Sequence, residues 1–260
     1  MTDQPARRQP SPLRPLAVAN HEPGGQTISG VIRFLHLLLR PLTRRAWWNA
    51  DRLPQSGGVL IVVNHISNTD WMAVGQFVAF AGRWPRFLGK ASVFKVPVVG
   101  RVLRACGQVP VERQSAASRD ALAAATAALT DGQAVVIYPE GTITKDPGLW
   151  PMAGKTGAAR LALATGCPVV PIGQWGAQDL MYGDKIEFPH LLPRKTLELI
   201  VGDPVDLDDL RGKPVTAETL REATNRIMDA ITVLVAELRS EPAPAIRFDP
   251  RASPRAEEGR

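Results

Sequence analysis

The chain has 260 residues, 45% of them hydrophobic and 22% charged, which is enough apolar material for a substantial core and excludes a chain too polar to fold. Two cysteines (Cys106, Cys167) and four scattered histidines (His21, His36, His65, His190) offer neither a disulfide framework nor the spacing of a metal centre. The net charge of +6 is concentrated: residues 1–52 carry eight arginines against Asp3, Glu22 and Asp51, a local +5, so an acidic partner is expected, either anionic lipid or nucleic acid.

Residues 1–26 are rich in Pro, Arg, Gln and Gly and lack the apolar stretch of a secretory signal, so they read as a disordered basic arm. Residues 27–52 read as an amphipathic, membrane-associating helical segment. Ile28, Val31, Ile32, Leu35, Leu38, Leu39 and Leu42 recur at helical spacing, Arg33, His36 and Arg40 fall largely opposite, and Trp47 and Trp48 close the run. The segment is too short and too charged to span a bilayer. Paired tryptophans beside arginines fit a helix lying among lipid headgroups, while docking on the domain's own core is the alternative. A nucleic-acid role for the arm is weaker, because Ile28–Trp48 is too apolar to track phosphates.

Residues 53–239 alternate apolar runs with helical patterns. Strands are predicted near 58–63, 85–89, 107–111, 133–138, 168–174 and 196–201, and helices near 70–81, 97–105, 116–130, 156–165 and 216–238. This alternation predicts an α/β fold, a mostly parallel mixed sheet flanked by helices. Residues 240–260 return to Pro, Ala, Arg and Glu and read as a disordered tail.

Four segments carry candidate chemistry. Asn64-His65 ends the run Leu60–Val63, and Asp70 follows five residues after His65. On a continuous helix i and i+5 diverge, so the pair meets only if the chain turns between them, and then the carboxylate can orient the imidazole as a base. Gly107–Arg113 is a strand running into an arginine, and Tyr138–Thr142 a strand running into Glu140, Gly141 and Thr142. Val169–Gly173 is an apolar run interrupted by Pro171. In open α/β sheets, ligands collect beyond the C-terminal ends of strands, where the first three motifs begin. No GxSxG elbow is present, which argues against a serine hydrolase of the α/β-hydrolase type.

With these motifs in this order, the sequence resembles the PlsC-like glycerolipid acyltransferases, which include 1-acylglycerol-3-phosphate O-acyltransferases. Their N-H-x4-D motif is matched by Asn64, His65 and Asp70, and their second motif ends at Arg113. Their P-E-G-T is matched by Pro139–Thr142 and their V-P-hydrophobic motif by Val170-Pro171-Ile172. The resemblance runs from about Leu53 to Pro204 and takes in Phe87–Lys90 and Lys155–Arg160 between the motifs. It implies transfer of a fatty acyl group to the free hydroxyl of 1-acylglycerol-3-phosphate, giving phosphatidic acid, with His65 as general base oriented by Asp70. It further implies that Arg113 binds the acceptor phosphate, that Glu140, Gly141 and Thr142 bind acceptor, and that Pro171 lies on the acyl-donor side; Lys90 and Lys155, by their charge, are expected to add positive field at the substrate site, a solvated face being the alternative. No metal or other cofactor is expected, the co-substrate being acyl-CoA or acyl carrier protein. The expected partners are a lysophospholipid, an acyl thioester and an anionic membrane surface, and the expected place is the cytoplasmic face of the cell membrane, peripheral or monotopic. The alternatives are another lysolipid acceptor (lysophosphatidylinositol, an ornithine lipid precursor) and a non-catalytic membrane-binding module.

Overall fold

The run Val59–Val63 alternates its side chains between two buried layers, and the rest of the fold is built around it. In the computed structural model, which describes residues 15–20, 22, 25–111, 117–183 and 189–252, this run is strand β2, wholly buried. Seven strands form one sheet: β1 (Thr43–Trp48), β2 (Val59–Val63), β3 (Pro85–Lys90), β4 (Val109–Val111), β5 (Ala134–Ile137), β6 (Val169–Trp175) and β7 (Lys195–Val201). Their order is β1-β7-β6-β2-β5-β3-β4. Strands β2 to β6 pair in parallel; β7 runs antiparallel to β6, and β1 is parallel to β7. A mostly parallel sheet needs helices on both faces. They are α1 (Leu16–Ala19), α2 (Gln26–Leu39), α3 (Asp70–Phe80), α4 (Ala91–Phe94), α5 (Pro97–Ala105), α6 (Ala117–Thr130), α7 (Gly157–Thr165) and α8 (Ala217–Arg239).

Leu60 and Val62 join Ala125 and Leu129 of α6, Leu161 of α7 and Ile227 and Ile231 of α8 in one core layer. Val59, Ile61 and Val63 join Val74, Phe77 and Val78 of α3 in the other. This is the period-two alternation of a strand covered on both sides. Each of the six predicted strands and five predicted helices is present within two residues of its expected bounds. The fold class is α/β, as expected.

The N-terminal segment departs from the expectation of a single helix ending at Trp48. Helix α2 stops at Leu39, and Thr43–Trp48 forms the edge strand β1, registered from Thr43 opposite Lys195 to Trp48 opposite Ile200. Pro41 ends the helix because it brings no N–H to the ladder. The Thr43 hydroxyl donates to the Leu39 carbonyl (2.8 Å) and fixes the turn. Trp47 is therefore buried, its ring edge-on to Phe77 (centroids 5.3 Å apart, planes at 89°), and does not sit among headgroups.

Both flanks expected to be disordered are fastened where they are described. Leu16 is buried, the Asn20 amide donates to the Ala79 carbonyl (3.2 Å), and Glu22 pairs with Arg83 (3.2 Å). In the tail, the Phe248 carbonyl accepts the Ala153 amide (2.8 Å) and Arg247 pairs with Asp229. Proline-rich composition masked these contacts, which depend on partners far along the chain. Among the described residues, no helix is long and apolar enough to cross a membrane.

Candidate active site

Strand β2 delivers Asn64 and His65 to its C-terminal end, and the chain turns through Ile66–Thr69 into α3, whose first residue is Asp70. Asn64 is locked to β6: its side chain exchanges hydrogen bonds with the Gln174 main chain (3.1 and 2.9 Å), and the Gln174 side-chain Nε2 donates to the Asn64 carbonyl (2.7 Å). The turn brings His65 Nδ1 to 2.8 Å from Asp70 Oδ2, the juxtaposition the five-residue spacing required. The same oxygen accepts the main-chain N–H groups of Ile66 (2.7 Å) and Ser67 (3.0 Å). Asp70 is fully buried at a helix start, where backbone amides favour a negative carboxylate. An acceptor-only carboxylate keeps the imidazole proton on Nδ1, which leaves Nε2 as the basic nitrogen.

His65 lines a cavity of about 910 Å³. Its walls are mainly apolar, with Ile32 and Leu35 of α2 facing Val98 and Val102 of α5. Polar groups reach it from Asn68, Gln108 and Thr156, and the cations Lys155 and Arg160 stand on its wall. An apolar cleft with a few convergent polar groups and a base is the usual form of a small-molecule site.

The loop after β5 holds the main chain of His65. Glu140 is buried, and its carboxyl accepts the amides of His65 (2.9 Å) and Met152 (3.1 Å). Burial pushes the Glu140 pKa up to about 8 against the pull of those two amides, and Asp70 adds to the rise. The carbonyl of His65 accepts the Thr144 amide (2.7 Å). Glu140 is therefore absent from the cavity wall, and its geometry is that of a group supporting His65 rather than one touching an acceptor. Thr142 is half-buried and also off the wall. Gly141 does line the cavity, at φ 70°, and an added Cβ would come within 2.9 Å of the Lys155 ammonium. Glycine serves here both for its conformation and for the room it leaves a cation.

Pro171 is buried in β6 opposite Val62 of β2 and does not reach the cavity. Lys90 ends β3, paired with Val111 of β4. Arg113 lies outside the described residues. Sequence reasoning passed over Tyr138, whose ring stacks on His65 (centroids 4.3 Å apart, planes at 19°). Lys155, expected only to add positive field, and Arg160, to which the sequence gives no role, also stand on the cavity wall; the signal available is their place in a segment between the motifs.

Known proteins agree with this architecture. The family model described as Acyltransferase matches residues 46–175, half of the chain. The chain is 37% identical over 133 residues to the chloroplastic 1-acyl-sn-glycerol-3-phosphate acyltransferase BAT2 of Brassica napus, covering 50% of this chain and 37% of that protein. It is 29% identical over 119 residues to the 1-acyl-sn-glycerol-3-phosphate acyltransferase of Salmonella typhimurium, covering 45% and 46% respectively. It thus spans less than half the length of these curated relatives. The crystal structure of the acyltransferase PlsC from Thermotoga maritima shares the fold, with a TM-score of 0.64 at 23% identity over 84% of this chain and 81% of that one. Its motifs, its sheet and the matched span together make this chain a member of the acyltransferase family, in the PlsC-like group.

Proposed function

We propose that this protein transfers a fatty acyl group from an acyl thioester, acyl-CoA or acyl carrier protein, to the free hydroxyl of 1-acylglycerol-3-phosphate. The observation that carries the reading is the His65–Asp70 pair, at 2.8 Å, on the wall of a large apolar cavity. Nε2 of His65 takes the proton of the acceptor hydroxyl as its oxygen attacks the thioester carbonyl. The C–O bond forms, the C–S bond breaks, and the imidazolium returns the proton to the departing thiolate. Asp70 stabilises the imidazolium and keeps the ring in the productive tautomer. The apolar walls suit acyl chains, and Lys155 and Arg160 suit a phosphate, with Arg113 as a further candidate for the same group. Relatives named as 1-acyl-sn-glycerol-3-phosphate acyltransferases favour that acceptor.

The reading includes a place at the cytoplasmic face of an anionic membrane. Its support is the outer side of α2, where Phe34, Leu37 and Leu38 are exposed on the helix that also walls the cavity. Such a helix suits the headgroup region.

Purified protein assayed with lysophosphatidate, lysophosphatidylinositol and a lyso-ornithine lipid, each with both thioester donors, tests the proposal. Lysophosphatidate is expected to be the best acceptor, and His65→Ala to lower turnover by a factor on the order of 10³ or more. Indifference to lysophosphatidate would reject the acceptor. Undiminished turnover in the alanine variant would reject the mechanism.

A further inference from the structure

Asp70 holds one nitrogen of His65 and the loop after β5 holds its main chain, but neither restrains the flat faces of the imidazole. A single in-plane hydrogen bond leaves the ring free to tilt about the Nδ1–Oδ2 line, and tilting swings Nε2 away from its target. Among the described residues, the aromatic ring that covers a face is Tyr138, which follows the last residue of β5. The ring centroids are 4.3 Å apart and the planes 19° from parallel. Phe87 of β3 is near-parallel to Tyr138 in turn, its centroid 6.3 Å away and its plane also at 19°. Three rings, from the β2–α3 turn, the end of β5 and the middle of β3, thus form one stack. Adjacent parallel strands supply its second and third members.

We infer that Tyr138 is a positioning residue for acyl transfer, its ring keeping His65 Nε2 aimed into the cavity and facing the positive charge that the imidazole gains with the acceptor's proton. This rests on the reading of His65 as general base. An aromatic face attracts a cation within about 6 Å of its centroid, and more strongly in a desolvated site. The stack therefore favours the imidazolium formed during attack more than the neutral imidazole of the resting site, which is the differential binding that lowers a barrier. The other ionisable groups around His65 act elsewhere: Asp70 in the ring plane at Nδ1, Glu140 at the main-chain amide, and Lys155 on the cavity wall beside Gly141. The ring of Tyr138, not its hydroxyl, does this work. The hydroxyl is buried with no hydrogen-bond partner among the described residues, and burial, with Asp70, keeps it protonated.

Replacing Tyr138 by Phe, Leu and Met separates ring from volume. Tyr138→Phe should keep kcat within about three-fold of the parent, whereas Leu and Met should lower kcat about ten-fold or more with the acceptor KM little changed, since a lost cation–π contact acts on the charged state. A second readout needs no turnover. In nitrogen-15 NMR, His65 should show one rigid Nδ1–H tautomer and ring-current-shifted protons in the parent and the Phe variant. The Leu and Met variants should lose the ring-current shift and show exchange between ring orientations. Equal kcat in the Leu and Phe variants, or an unchanged His65 spectrum in both Leu and Met variants, would overturn the inference. A parent inactive on every acceptor would instead strike the proposed function, and the spectra would still decide whether Tyr138 orders the ring.

Discussion

At the scale of single residues, the ring of His65 is held by one acid and its main chain by another. Asp70 touches the imidazole, whereas Glu140 accepts from main-chain amides and keeps its proton to about pH 8. The ordinary value for a glutamate is 4.5, so between those limits the folded protein retains a proton that the unfolded chain has released. Raising pH through that interval therefore favours the unfolded chain: this contribution is complete below about 4.5 and gone above about 8. Urea unfolding measured at pH 5 and pH 8 should show the parent losing stability toward pH 8. Glu140→Gln, which has no proton to release, should show a smaller loss; an equal loss would mean that Glu140 is ionised throughout. The His65–Asp70 pair was legible in the sequence because five residues and a turn suffice to close it. The partners of Glu140 were not, because its His65 contact is 75 residues distant and its Met152 contact depends on the path of a loop. The motif marked Glu140 as important, and only the fold shows what it touches.

At the scale of elements, the core of the sheet was readable and its β1 edge was not. The runs at β2, β5 and β6 are apolar, bounded by turn residues and placed between helical patterns, so their type followed from length and flanks. The segment from Ile28 to Trp48 misled because a helix and an edge strand stand end to end and both carry apolar residues with arginine. Pro41 was the punctuation between them. The two elements also hold each other: Arg45 of β1 lies 2.9 Å from His36 Nδ1 of α2. Burial, with Arg45 and then Arg40, holds the His36 pKa below its ordinary value and so favours a neutral ring that can accept from the guanidinium. If β1 is integral to the sheet, Trp47→Ala should destabilise the protein by about 3–5 kcal/mol in urea unfolding, the range for removing a buried aromatic side chain. A headgroup-level tryptophan would give a loss too small to measure in the absence of lipid.

At the scale of the whole molecule, the two ends of the sheet are finished in different ways. At the N-terminal ends of the strands, fully buried Arg83 donates to the carbonyls of Pro54, Gly57 and Gly132 and pairs with Glu22. One planar donor set thus gathers the entry to β2, the entry to β5 and the segment leading to α2. At the C-terminal ends the sheet opens into the cavity, and apolar side chains of α2 and α5 are left in solvent, among them Leu37 at 69% exposure and Val98 at 71%. If this side meets lipid, Phe34→Asp with Leu37→Asp should weaken sedimentation with anionic vesicles more than about 30-fold, since each buried side chain contributes about 1.5–3 kcal/mol. Neither residue lines the cavity, so turnover of a water-soluble short-chain acceptor should persist. Unchanged sedimentation would place the lipid contact on another face.

The fastening of His65 has a consequence for how such a protein changes over time. Its amide, its carbonyl and Nδ1 are each committed to a partner at the start of α3 or in the loop after β5. A substitution in those supports disturbs the base itself. A substitution among the cavity-lining aliphatic side chains of α2 and α5 alters only the shape and depth of the cleft. On the proposed function, preference for one lipid over another is therefore free to drift on those two helices while the setting of His65 is inherited intact.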